Sequence, residues 1–188
     1  MAIISSCFSA SFASNYDFEA DGIYYKIISA ANLTAGVVGV TDNNIKTLNI
    51  PTSVYFKSKQ LNVIKIEGLS SLESLEEVKI PNSVHIIGDR AFRFCTSLES
   101  INIPNSIRTI GEWTFAGCTS LESINIPNSI TTIGEYAFSD CTSLKNINIP
   151  NSITTIEEYA FSNCTSLKNI NIPNSVKTIA DYTFENCI

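Results

Sequence analysis

The chain has 188 residues, enough for one domain with a buried core. Apolar residues make up 44% of it and charged residues 16%, the balance of a globular and not a disordered chain. A net charge of −6 supplies no basic face for general nucleic-acid binding, and no apolar run approaches the roughly 18 residues of a membrane span.

The first stretch, "MAIISSCFSASFAS", is small and apolar with no Lys or Arg ahead of it. Residues 1–15 read as the remnant of a secretory signal whose front is missing, which places the protein outside the cell or on its surface. Ile4–Cys7 also resembles the box before a lipidated cysteine in bacterial lipoproteins. Three residues, however, cannot supply the apolar region that such a box requires ahead of it. Residues 16–44 read as β-rich. "DGIYYKI" and "AGVVGVT" have strand composition and are separated by "ISAANLT". A β-rich N-terminal cap of this kind would cover the open edge of a repeat stacked against it.

Residues 45–188 are such a repeat. Residues 121–143 and 144–166 are identical at 19 of 23 positions. Leu75, Leu98, Leu121, Leu144 and Leu167 each open a copy, giving units 75–97, 98–120, 121–143, 144–166 and 167–188, here copies 1 to 5. A degenerate leading unit, 45–74, carries about seven extra residues around "YFKSKQLNVIKIEG" and lacks the Ala-Phe and Cys positions. Six units exceed the roughly three needed to bury a continuous core.

Within a copy, positions 1, 4 and 6 are apolar and positions 3 and 5 polar, the alternation of a short half-buried strand. Position 7 is Pro, which ends the strand and opens a turn. Positions 10 and 13 are Ile or Val, a second short extended piece. "GEWTFAGC" and its equivalents are too short for a stable isolated helix and read as one helical or 3₁₀ turn held by Phe. A single unit cannot bury its Leu, Ile and Phe. Stacking parallel strands about 4.8 Å apart aligns them into columns, including Phe92, Phe115, Phe138, Phe161 and Phe184.

The motif "LxxIxIPNSIxxIGxxAFxxCxS" over residues 45–188 resembles the BspA-like class of leucine-rich repeat. The resemblance implies a right-handed solenoid with one parallel strand per repeat, on a bacterial or protist surface. It also implies adhesion and the binding of host proteins. The segment 18–51 is similar to the β-rich leading segment of secreted members of that family.

Two columns are candidate binding surfaces. Position 5 gives Lys79, Asn102, Asn125, Asn148 and Asn171 on the strand face, either a hydrogen-bonding strip for a protein or glycan, or amides bonding one another in the wall. Position 16 gives Arg90 and then Trp113, Tyr136, Tyr159 and Tyr182, either aromatic anchors for a partner or packing beside Phe. Position 15 gives Asp89, Glu112, Glu135, Glu158 and Asp181, read chiefly as local caps of the tight turn and alternatively as a calcium strip. Position 2 changes sign from Glu76, Glu99 and Glu122 to Lys145 and Lys168. Gly88, Gly111 and Gly134 at position 14 give way to Glu157 and Ala180, so glycine there reads as permitted, with no need for positive φ.

Cys95, Cys118, Cys141, Cys164 and Cys187 are 23 residues apart and project in parallel, which suits buried free thiols better than disulfides or a metal site. His85 is the sole histidine, and a cysteine nucleophile needs a base beside it. No phosphate loop or metal motif is present in the sequence, so the reading is non-enzymatic, with no cofactor and no metal. The expected function is adhesion to a protein partner, host surface or matrix proteins among them, by a monomer. The alternative is a structural spacer that self-associates end to end through copy 5.

Overall fold

A computed structural model describes residues 15–187. The expected signal remnant falls almost wholly outside those residues, as do Cys7 and its expected lipidation, and Ile188. Three strands come first: β1 (Phe18–Ala20), β2 (Ile23–Ser29) and β3 (Thr34–Val40). They form an antiparallel meander, with Phe18 opposite Tyr25 and Ile23 opposite Val40. The leading unit supplies β4 (Thr47–Asn49), β5 (Ser53–Phe56) and β6 (Lys59–Ile66). Its extra residues are the β5–β6 hairpin. The copies then supply β7 (Glu77–Lys79), β8 (Ile86–Ile87), β9 (Ser100–Ile101), β10 (Thr109–Ile110) and β11 (Ser123–Asn125). β12 (Thr132–Ile133), β13 (Asn146–Asn148), β14 (Thr155–Ile156) and β15 (Asn169–Asn171) complete the set.

Two columns of parallel strands run through the stack, as the sequence alternation predicts. The first pairs β4, β7 and β9, then β11, β13 and β15, with Ile124 beside Ile147 and Ile147 beside Ile170. The second pairs β6 with β8, then β10, β12 and β14, and ends in a bridge from Ile156 to Ile179. β3 pairs in parallel with β6, so the antiparallel strands extend this second column. Inward residues of both columns form one core with Leu98, Leu121, Leu144, Ile130 and Ile153, all fully buried. The Phe rings stack through it at 5.4–5.6 Å between centroids.

The tight turn differs from the expected helical or 3₁₀ turn. Its amides alternate in direction. Ala137, Ser139 and Cys141 donate back to Gly134, Tyr136 and Phe138 within the copy. Tyr136, Phe138 and Asp140 donate instead to Glu158, Ala160 and Ser162 of the next copy, at 3.1, 2.8 and 2.9 Å. Copies 1, 2 and 4 repeat this pattern. Turning alternate amides outward requires left-handed backbone at positions 16 and 20. Trp113, Tyr136, Tyr159 and Tyr182 have φ of +53 to +57°, and Gly117, Asp140, Asn163 and Asn186 have φ of +57 to +72°. The turn is therefore a third inter-copy ladder, and that ladder outweighs the cost of placing aromatics where only glycine sits without strain.

The glycines of position 14 have no positive φ, as expected. At Gly134, though, an added Cβ would sit 2.9 Å from the Gly111 carbonyl carbon and 3.0 Å from Glu112 N. Backbone cannot swing aside, so at this copy glycine is required by close approach. Gly134→Ala should cost about 1–3 kcal/mol through overpacking, read as a lower denaturant midpoint. A midpoint equal to that of the parent chain would show that the copies separate freely there.

Candidate binding surface

The strand face is built by β7, β9, β11, β13 and β15. Their odd positions point outward, so Lys79, Asn102, Asn125, Asn148 and Asn171 are all exposed in one file. The five do not behave alike. Lys79 lies 3.5 Å from Glu77 of its own strand. Asn102 turns onto copy 1: its Oδ1 accepts from Ile80 N at 2.9 Å and its Nδ2 donates to Ile80 O at 2.8 Å. β9 stops at Ile101, and the Asn102 amide substitutes there for the missing ladder. Asn125, Asn148 and Asn171 make no side-chain hydrogen bond among the described residues.

The amide wall considered for position 5 forms at position 20 instead. Asn163 Nδ2 donates to Asp140 Oδ1 and Asn186 Nδ2 to Asn163 Oδ1, both at 2.8 Å. Position 2 pairs across its sign change, Lys145 with Glu122 at 2.8 Å, and Lys46 of the leading unit pairs with Glu76 at 2.7 Å.

The second surface is the flank of the tight turn. Trp113, Tyr136, Tyr159 and Tyr182 stack face to face at 4.1, 4.6 and 4.9 Å. Trp113, Tyr136 and Tyr159 are half-buried, and Tyr182 is exposed. They pack on one another and keep part of their surface in solvent. Partial desolvation, then the charges of Glu135, Glu158 and Glu185, push the Tyr136 phenol up. Desolvation, the neighbouring phenols of Tyr136 and Tyr182, and then Glu185 and Glu158 do the same to Tyr159.

Position 15 does not cap a local helix, because no helix forms among the described residues. Asp89 Oδ1 accepts from Glu112 N of the next copy at 3.0 Å. Glu112 pairs with Arg90 at 2.8 Å. A groove of about 540 Å³ opens beside this column between copies 3 and 5, lined by Glu135, Glu157, Glu158, Thr155, Lys177 and Ala180 among others. Sequence reasoning passed over Arg93 and Glu185, and took Glu157 only as a replacement for glycine at position 14. Arg93 seats its guanidinium 4.6 Å from the Trp113 ring and 4.4 Å from Phe94. Glu157 Oε2 accepts from Glu135 N at 3.0 Å. The signal that could have found them was departure from the motif: Arg93 and Phe94 break it in copy 1, and Glu157 breaks it in copy 4.

The cysteines point the other way, into the core. Cys118, Cys141 and Cys164 donate through Sγ to Phe92, Phe115 and Phe138 carbonyls at 3.2–3.3 Å. Desolvation pushes Cys95 and Cys164 up to about 12, and Cys118 and Cys141 well above their ordinary value. Such thiols hold their protons, the opposite of what a nucleophile or metal ligand requires. No helix among the described residues is long and apolar enough to cross a membrane.

Comparison with known proteins agrees with this architecture. The family model described as BspA type leucine rich repeat region matches residues 62–188 in six copies. A leucine-rich repeat protein from Bacteroides ovatus is similar over 92% of this chain and 45% of its own, at 36% identity and a TM-score of 0.86. A leucine rich repeat protein of T. pallidum is similar over 91% of this chain and 78% of its own, at 31% identity and a TM-score of 0.80. A leucine rich cell surface protein from Faecalibacterium prausnitzii is similar over 84% and 55%, at 25% identity and a TM-score of 0.61. The chain thus spans under half the length of the Bacteroides protein. No curated protein matches it.

Proposed function

The chain belongs to the BspA-type leucine-rich repeat family, whose fold serves in general to bind proteins, and on that premise we propose that it is a secreted or surface-attached adhesion scaffold. Its partners are proteins, host surface or matrix proteins among them, with a glycan as the other ligand that the strand face suits. The observation that carries this reading is the unbonded file of Asn125, Asn148 and Asn171, held in register by parallel strands. Three amides on a regular spacing offer many weak contacts over an extended surface, and no pocket. The antiparallel strands β1–β3 act as the cap that closes the leading unit. The aromatic flank is the second contact surface.

The test is capture of purified matrix proteins by immobilised chain, with an Asn125→Ala, Asn148→Ala, Asn171→Ala triple variant beside it. Capture should fall about tenfold or more, the cost of losing several hydrogen bonds of about 0.5–1.5 kcal/mol each. Equal capture by parent and triple variant would remove the strand face from the function.

A further inference from the structure

The flank of the tight turn carries two columns side by side, acids at position 15 and aromatics at position 16. In the first copies both are satisfied by the chain's own arginines. Arg90 occupies position 16 of copy 1 and pairs with Glu112 of the next copy at 2.8 Å. Arg93 lays its guanidinium over Trp113, the first ring of the aromatic stack. From copy 2 onward position 16 is aromatic, so no residue equivalent to Arg90 reaches the next acid. Among the described residues Glu135, Glu157, Glu158, Asp181 and Glu185 pair with no Lys, Arg or His. Lys177, which lines the groove, donates instead to Asn174 O at 2.7 Å. The columns thus continue through copies 3 to 5 with the same geometry and without their cations.

The groove lies along this unsatisfied part. Two of its carboxylates, Glu135 and Glu158, directly precede Tyr136 and Tyr159 in the chain, and the Glu158 charge reaches both phenols. The ring faces are covered by one another, so the stack offers a partner its edges and phenol oxygens. That is the environment of an extended basic side chain: a carboxylate for the head group, a phenol oxygen to accept an N–H, and ring edge for the methylene stem.

We propose that this groove docks an arginine-bearing segment of a partner protein, whose guanidinium groups pair with Glu135, Glu157 and Glu158 along the edges of Tyr136 and Tyr159. The inference rests on the reading that the chain binds proteins and names the chemistry of one partner segment. Charge complementarity commits it to a basic segment, and the planar guanidinium is the group that the chain itself uses at Glu112 and Trp113.

The experiment is titration of the full chain with an octa-arginine peptide by calorimetry, with octa-glutamate as the control probe. Trp113, the single tryptophan, gives a fluorescence signal at the end of the stack. Variants are chosen to suit the local backbone, and each is checked for an unchanged denaturant midpoint. Glu157→Gly restores the residue of copies 1 to 3, and Glu158→Gln removes a charge in place. Tyr136→Asn with Tyr159→Asn removes the rings with a residue that accepts left-handed backbone. The parent chain should bind octa-arginine with an affinity that falls as salt rises. Glu157→Gly with Glu158→Gln should lose about tenfold, and the tyrosine pair a further severalfold. Glu99→Gln with Glu122→Gln, on the strand side, should leave binding unchanged.

Equal losses in both acidic pairs would mean general attraction to a chain of net charge −6 and would overturn the proposal. So would absence of binding at millimolar peptide. The strand-face triple variant separates the two readings. If it abolishes matrix-protein capture but leaves octa-arginine binding intact, the groove stands on its own. If capture survives every groove variant and octa-arginine does not bind, only the groove falls.

Discussion

Phe138→Ala should lower stability by about 3–5 kcal/mol, the usual loss for emptying a fully enclosed phenyl site. The ring is completely buried and stacks on Phe115 and Phe161, each 5.4 Å away, at 15° and 0°. Both neighbours are pinned by the same ladder of turn amides, so neither can collapse into the space. Phe138 also bears the carbonyl that receives Cys164 Sγ and Cys141 N, which ties the ring's position to the backbone of copies 3 and 4. In a stack whose units touch only their neighbours, losing one interface weakens the coupling between the copies on either side. Amide exchange should therefore accelerate first in residues 144–187 and less before residue 121. Phe184→Ala is the comparison, because Phe184 is half-buried with one ring partner, and its loss should be clearly smaller. A Phe138→Ala midpoint no lower than that of Phe184→Ala would mean that the column is not the axis of the core.

The columns of Leu, Ile and Phe were legible because each is repeated at a fixed spacing and faces the same neighbours in every copy. The alternation at positions 3 to 6 gave the strands, and Pro at position 7 gave their ends. The turn was not legible as built. Its geometry is dictated by amides that bond to the next copy, and a sequence read one unit at a time shows only local partners. Half of it had left a trace: Gly117, Asp140, Asn163 and Asn186 at position 20 are residue types that accept left-handed backbone. Position 16 left none, because Arg, Trp and Tyr are poor left-handed residues and the ladder of amides to the next copy decides the matter.

The asparagine file shows the opposite limit. Asn102 and Asn125 are identical in sequence context, yet Asn102 is spent on Ile80 because β9 ends at Ile101 and the side-chain amide stands in for the ladder to copy 1. Among the candidate residues, then, the strand face reduces to Asn125, Asn148 and Asn171. The flank gains Glu157, a departure from the motif in a single copy.

Raising the pH should unfold the protein steeply between about pH 9 and 12. The cause is the cysteine column. In the unfolded chain its thiols ionise near their ordinary value of 9.0. In the folded chain desolvation holds Cys95 and Cys164 up to about 12, and pushes Cys118 and Cys141 well above their ordinary value. Their folded values are raised, so the stability they contribute is fully present below pH 9 and is lost as pH climbs towards the folded values. Over that window the unfolded state binds fewer protons than the native one, and each thiol removes about 1.4 kcal/mol per pH unit. Four thiols acting together remove about 5.6 kcal/mol per unit, against a total stability of about 5–15 kcal/mol for a domain. Tyr25, also pushed up to about 12 by burial, adds in the same direction. The check is a set of denaturant midpoints, in reductant, at pH 8, 9, 10 and 11. Cys141→Ala tests the cause. It loses the Sγ donation to Phe115 O and so starts less stable at neutral pH, but its slope above pH 9 should be shallower by about 1.4 kcal/mol per unit. A slope unchanged by Cys141→Ala would place the alkaline transition elsewhere, and a flat profile to pH 11 would mean that the thiols meet water in the native state.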